Sequence, residues 1–196
     1  MPEDPRSDAE LVRAINRGPP GAEAAFEALY RRHRDWALRV ARRLGAAGVD
    51  PADLVQEAFI TLLGQFPGFQ LRAKLTTFLY PVLRNRALAA GRKRRALRLG
   101  GDAAEEQQRF AAGAGAGRDE GGEGVAPAYA SLREAVEELP EAQREVLLMR
   151  LVDQMDVREV ALALGVPEGT VKSRLHHALA SLRGDPRAAA WLDEEK

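Results

Sequence analysis

The chain has 196 residues, enough for one domain or two small ones, and its 45% hydrophobic but only 6% aromatic content favours helices over a sandwich or barrel. It has no cysteine, which excludes disulfides and zinc-finger sites, and no apolar run near the roughly 20 residues that span a bilayer. The formal net charge is zero, yet residues 1–99 hold 18 Lys and Arg against 10 Asp and Glu, residues 100–140 hold 3 against 9, and residues 141–196 hold 8 against 10.

The start, Met1-Pro2-Glu3-Asp4-Pro5, is acidic and unlike a secretory signal, so a cytoplasmic location is expected. Ser7-Asp8-Ala9-Glu10 has the pattern of a capping box opening a short helix, with Leu11, Ala14 and Ile15 on its apolar face. After Gly18-Pro19-Pro20-Gly21 a long helix follows, carrying Phe26, Leu29, Tyr30, His33, Ala37, Val40 and Leu44 at helical spacing. His33 lies on that apolar face and has no second ligand near it, so it reads as a buried, hydrogen-bonded histidine. Gly45 and Gly48 end this helix.

Asp50-Pro51-Ala52-Asp53 starts the third helix, with an Asp cap, Pro at the first helical position and a carboxylate in the first turn. Leu54, Ala58, Leu62 and Phe66 form its apolar side, widened by Val55, Phe59 and Leu63, while Asp53, Gln56 and Glu57 share the other side at i, i+3, i+4. Paired carboxylates can serve as acid and base or hold Mg²⁺, but neither a His nor a third carboxylate lies nearby. A solvated or protein-docking face fits them better.

Phe66-Pro67-Gly68-Phe69 breaks the helix, and residues 70–74 form a loop. A fourth helix is predicted over 75–97, kinked by Pro81. Between Glu57 and Asp102 there is no acidic residue, while Arg72, Lys74, Arg84, Arg86, Arg92, Lys93, Arg94, Arg95 and Arg98 all fall in that window. Like charges at this density repel unless something anionic neutralises them, which points to nucleic acid. Aromatics and Asn85 beside this basic row suit single strands, whose bases stack on rings; Phe78 reads rather as a core residue.

Residues 100–128, rich in Gly, Ala and acids, cannot bury a core and read as a flexible linker. Beyond it, Val157, Val160, Ala161 and Leu164 follow i, i+3, i+4, i+7, and Gly165 suits a left-handed helix end. Pro167 then suits the first turn of another helix, whose buried stripe is Val171, Leu175, Ala178, Leu179 and Leu182. Lys172, Ser173, Arg174, His176 and His177 remain outside it. Gly169 would let backbone approach a phosphate at the helix start. Two helices joined by a tight Gly-containing turn form a helix-turn-helix, whose second helix enters a DNA major groove. A plain helical hairpin with solvated basic residues is the alternative.

The whole chain resembles a bacterial RNA polymerase sigma factor of the extracytoplasmic-function group, the two-domain type. Asp50-Pro51-Ala52-Asp53-Leu54-Val55-Gln56-Glu57-Ala58-Phe59 resembles that family's polymerase-docking helix, and Thr77-Phe78-Leu79-Tyr80-Pro81-Val82-Leu83-Arg84-Asn85-Arg86-Ala87 its promoter-melting helix. The segment 139–182, with Gly169-Thr170-Val171-Lys172-Ser173-Arg174-Leu175, resembles its second domain. The resemblance implies an all-α chain of two small helical domains: 7–98, a linker over 99–128, a helix-turn-helix domain over 129–185, and a tail over 186–196.

The resemblance also implies roles. Asp53, Gln56 and Glu57 would bind the clamp helices of the polymerase β′ subunit, with a further contact to the β flap. Gly68, Phe69, Arg72, Lys74, Tyr80 and Asn85 would capture and read unpaired bases of the −10 element, while Arg84, Arg86, Arg92, Lys93, Arg94 and Arg95 hold phosphates. Thr170, Lys172, Ser173, Arg174, His176 and His177 would read the −35 duplex. The family often has Trp where Phe78 stands and Arg where His177 stands, and a neutral His offers guanine fewer donors than Arg. An anti-sigma partner is expected, and no cofactor, metal or enzymatic activity. A stand-alone helix-turn-helix regulator is the competing class, although it needs neither the Asp53 face nor a separate basic helix.

Overall fold

A computed structural model describes residues 4–45, 49–99 and 127–188, the side chains of 93–99 and 127–129 excepted. The linker predicted over 99–128 lies outside the described residues but for its ends, as do Gly48 and Trp191. The described residues form eight helices and no strand: α1 (Asp8–Arg17), α2 (Ala22–Leu44), α3 (Pro51–Leu63), α4 (Leu75–Leu99), α5 (Pro127–Glu137), α6 (Glu141–Leu151), α7 (Val157–Leu164) and α8 (Glu168–Arg183). They divide into two units, residues 1–101 and 102–196.

In the first unit α2 is the hub, packing against α1, α3 and α4, and α3 also packs on α4. A helix touched on three sides needs an apolar arc wider than one stripe. This is why Trp36 and Ala41 are buried with Leu29, Ala37 and Val40, although a single-stripe reading omits them. Phe26 and Tyr30 are half-buried instead, with Phe59 of α3 edge-on to both at 6.3 and 4.9 Å.

The predicted N-terminal signals are present. Ser7 and Glu10 form a complete capping box, and Leu11, Val12 and Ile15 bury the inner face of α1. The Asp50 side chain accepts from the Ala52 N–H at 2.8 Å, and Pro51 opens α3. α4 runs through Pro81 as one helix, with Leu75, Leu79 and Leu83 fully buried at i, i+4, i+8.

Polar contacts join α1 to α2. Asp8 accepts from Arg32 Nη1 at 2.7 Å and lies 2.7 Å from His33 Nε2, so His33 is a hydrogen-bonded, mostly buried residue as its spacing suggests. Arg32 Nη2 donates to the carbonyls of Asp4 and Arg6, both at 2.8 Å, tying down the chain ahead of α1.

The second unit packs α6 and α7 against α8. Ala135, Leu139, Leu147, Ala178, Leu182 and Ala188 form one buried cluster, with Leu132, Val136, Leu175 and Leu179 against it. Ala188 thus contributes core from beyond the predicted domain end at 185. Arg187 beside it pairs with Glu138 at 2.6 Å and Asp185 at 2.7 Å. Asp156 and Glu159 form a capping box on α7 that apolar periodicity alone does not reveal, and Glu159 is buried by it. Gly165 has φ 66° and ψ 33° with open space at its missing Cβ, so backbone conformation rather than room dictates glycine there. Pro167 is the N-cap of α8 rather than its first helical residue.

The α1–α2 contact carries a pH signature. The hydrogen bond from His33, followed by that from Arg32, holds the Asp8 carboxyl below its ordinary value. A depressed folded-state value gives stability that is present above the unfolded value, near pH 4, and is lost as pH falls through the folded one. Asp8→Asn is therefore expected to lower the melting temperature at pH 7 and to flatten its fall as pH drops below the ordinary carboxylate range. Equally steep acid limbs in both proteins would remove Asp8 from this role.

Candidate protein and nucleic-acid interfaces

On α3, burial of Leu54, Val55, Ala58, Phe59 and Leu62 leaves Asp53, Gln56 and Glu57 exposed together on the opposite side. The same surface continues into apolar residues: Ile60 is 59% and Leu63 50% exposed. Leu63 departs from its expected place in the apolar stripe, because Leu62 takes the last core position before the chain turns at Gly64. Glu57 Oε2 lies 3.4 Å from Arg86 Nη1 on α4. The other terminal guanidinium nitrogen, Nη2, donates to Thr61 Oγ1 at 3.4 Å, and that hydroxyl donates to the Glu57 carbonyl at 2.8 Å. Among the described residues no group of three His, Asp or Glu could hold a metal ion. An outward strip of carboxylates, an amide and two bare aliphatic side chains is suited to covering by another protein.

The loop between α3 and α4 is held from two sides. Phe69 packs against Phe66, ring centroids 5.4 Å apart, and edge-on against Phe78 of α4 at 5.1 Å. Asn16, near the end of α1, donates from Nδ2 to the Phe69 carbonyl at 2.8 Å and accepts at Oδ1 from the Gly68 N–H at 2.7 Å. Gly68 has φ 109° with nothing near a built Cβ, so again the backbone calls for glycine. Beyond this anchored stretch Gln70, Arg72 and Lys74 are exposed. Asn16 carries no motif, and its role is invisible without the tertiary fold.

Along α4, Asn85, Arg86 and Arg92 are exposed and Arg84 is half-buried. The side chains of Lys93, Arg94 and Arg95 lie outside the described ones. Residues 78 and 85 are seven apart and nearly eclipsed on a helix, so the ring that receives Phe69 lies on the Asn85 side of α4. Tyr80 is a correction: it is fully buried, with the Arg43 guanidinium 5.8 Å from its ring centre, and cannot stack on a base. Residues 80, 83 and 87 share the core-facing arc, whereas Phe78 is only half-buried; the two aromatics exchange the depths expected of them.

In the second unit, Lys172, Ser173, His176 and His177 are exposed as successive i, i+4 neighbours on α8, with Thr170 and Arg174 half-buried at the edges. The two histidine rings meet edge-on at 5.6 Å. Val171, Ala178 and Leu182 hold the opposite face in the core, so this surface is fixed in orientation. No side chain caps the start of α8, and Gly169 there has open space around it. Backbone N–H groups and a lysine in the same turn make a surface matched to a phosphate backbone and base edges.

Comparison with known proteins gives one consistent result. The family described as Sigma-70 region 2 matches residues 29–97, and that described as Sigma-70, region 4 matches residues 129–182. The chain is 33% identical over 163 residues to the RNA polymerase sigma-E factor of Streptomyces avermitilis, covering 83% of this chain and 86% of the relative. It is 32% identical over 177 residues to the ECF RNA polymerase sigma factor SigM of Mycobacterium tuberculosis, covering 90% and 83%. Its fold matches the sigma factor RpoE of Bartonella quintana, solved with the anti-sigma factor NepR, at a TM-score of 0.59 and 19% identity over 81% of this chain and 94% of that one.

The depths of the two α4 aromatics are open to test. Tyr80→Ala is expected to cost about 3 kcal/mol or more in urea unfolding, and Phe78→Ala roughly half as much. The reverse order would put Tyr80 back among the surface residues.

Proposed function

The chain belongs to the sigma-70 family as an ECF-group RNA polymerase sigma factor, and from that premise we propose how its surfaces divide the work of initiation. It is a transcription initiation factor: it binds core RNA polymerase and promoter DNA. Asp53, Gln56 and Glu57 of α3 dock on the β′ clamp helices, with the exposed Ile60 and Leu63 extending the contact. The single observation that carries this reading is the outward α3 strip, which among the described residues meets only the exposed Arg86, through Glu57. A stand-alone DNA-binding regulator has no use for such a strip.

Gly68, Arg72, Lys74 and Asn85 capture and read unpaired −10 bases, and Arg84, Arg86 and Arg92 to Arg95 hold the phosphates on either side. Phe69 supports this loop through Phe66 and Phe78 rather than by offering a free ring. Thr170, Lys172, Ser173, Arg174, His176 and His177 read the −35 duplex. The residues of 7–98 and 129–185 act as the two DNA-handling domains, the segment between them as tether. The chain works without catalysis of its own, in the cytoplasm; no described helix is long and apolar enough to cross a membrane. An anti-sigma protein is its regulator, as NepR partners the Bartonella factor of the same fold.

Two measurements test this division. Asp53→Arg combined with Glu57→Arg is expected to abolish binding to core polymerase while leaving the helical circular dichroism unchanged; retained binding would remove both residues from the docking site. Lys172→Ala and Arg174→Ala are each expected to weaken holoenzyme binding to −35 duplex. Each should also reduce the slope of log K against log salt by about 0.9 per lost phosphate contact. An unchanged slope would take them off the DNA.

A further inference from the structure

The loop assigned to unpaired bases faces a physical problem. Reading a base by hydrogen bonds requires donors and acceptors at fixed positions, and ordering a free loop costs roughly 1–2 kcal/mol per residue at the moment of binding. A loop already ordered before DNA arrives avoids that cost. Residues 66–69 are ordered on two sides: their rings lean on Phe78 of α4, and their backbone is gripped by Asn16 of α1.

The grip is chemically specific. A side-chain amide offers both a donor and an acceptor within one rigid plane. Asn16 spends its Nδ2–H on the Phe69 carbonyl at 2.8 Å and its Oδ1 on the Gly68 N–H at 2.7 Å. Asn meets the two backbone groups through two separate atoms, whereas an ionised Asp has no donor and a Ser or Thr hydroxyl would have to serve both from one atom nearer its own backbone. The fastening at the other end is equally firm. α1 is closed by the Ser7–Glu10 box, buried through Leu11, Val12 and Ile15, and tied to α2 through Asp8 to Arg32 and His33.

We propose that Asn16 is a positioning residue for base reading: it transmits the placement of α1 on α2 to the 66–69 backbone, so that Gln70 to Lys74 meet unpaired promoter bases in a preformed arrangement. This rests on assigning the loop to the −10 element. Asn16 touches no base itself; it acts through Gly68 and Phe69, and its effect falls on selectivity rather than on polymerase docking, which uses α3.

The test uses holoenzyme reconstituted from core polymerase and full-length chain. The probe is a pool of single-stranded 12-mers with randomised sequence; bound molecules are sequenced at a temperature well below every protein's melting point. Wild-type holoenzyme is expected to enrich a motif, and Asn16→Ala to reduce its preference over the unselected pool on the order of tenfold, with core affinity unchanged. Asn16→Ser, which keeps a polar residue but loses the reach, should behave like Asn16→Ala and serves if that variant folds poorly. Val12→Ala, a core truncation in the same helix that keeps the Asn16 amide, controls for general loosening of α1 and is expected to lose less of the preference than Asn16→Ala. Undiminished enrichment by the Asn16 variants overturns the proposal, and so does equal loss in Val12→Ala. If wild-type holoenzyme enriches nothing, it is the loop's assignment to base reading that fails.

Discussion

Burial of α2 on three sides is the constraint from which the N-terminal unit follows. Its 23 residues provide a spine roughly 34 Å long at 1.5 Å per residue, and α1, α3 and α4 each lie on it. Trp36, Ala37, Val40 and Ala41 are buried together along it, which no helix with a single neighbour would need. Each neighbour then has one face committed to the core and the opposite face set free in a defined direction. The α3 strip, the exposed side of α4 and the far end of α1 at Asn16 all inherit their positions from this packing. Arg32 and His33 add a polar edge that locates α1 through one carboxylate, a direction-dependent contact that apolar burial alone would leave loose.

The helix-turn-helix depends on a different constraint, a tight connection between two short helices. Eight residues of α7 would not persist alone, since isolated helices of that length are marginal in water. The Asp156–Glu159 box supports its start, the left-handed Gly165 supports its end, and burial of Val160, Ala161 and Ala163 against the unit does the rest. α8 follows within three residues, so its outward face is set by the turn as much as by its own stripe.

Much of this was legible in the sequence because local signals agreed with global packing. The Ser7 and Asp50 caps, the Gly165 end and the periodic stripes of α1, α3 and α8 follow from spacing and residue chemistry that do not depend on distant neighbours. The misreadings in the first unit share one cause: they concern how many partners a helix has. Periodicity marks the centre of an apolar arc but not its width, which is why it omits Trp36 from the α2 core and places Leu63 inside that of α3. Tyr80 and Phe78 lie two residues apart on α4, and their order of depth is set by where α2 and α3 lie, a fact no local pattern holds. Asn16 was unreadable for a related reason, since its partners are 52 and 53 residues away and are backbone groups, which leave no trace in residue identity.

The Glu57–Arg86 pair shows how to weigh such contacts when surfaces adjoin. Arg86 belongs by charge to the basic row of α4, yet it leans on a carboxylate from the α3 strip at 3.4 Å. A strong internal salt bridge would disqualify both residues from meeting outside partners. Here both side chains are about half exposed, Arg86 at 49% and Glu57 at 53%, and exposed pairs of this kind contribute only about 0–1 kcal/mol. A phosphate or a polymerase side chain can therefore take either member at small cost. The pair also puts opposite charge beside each, offsetting one cation of an otherwise acid-free basic segment in the free protein. The contact is better understood as the resting arrangement of two adjoining surfaces than as a support of the fold.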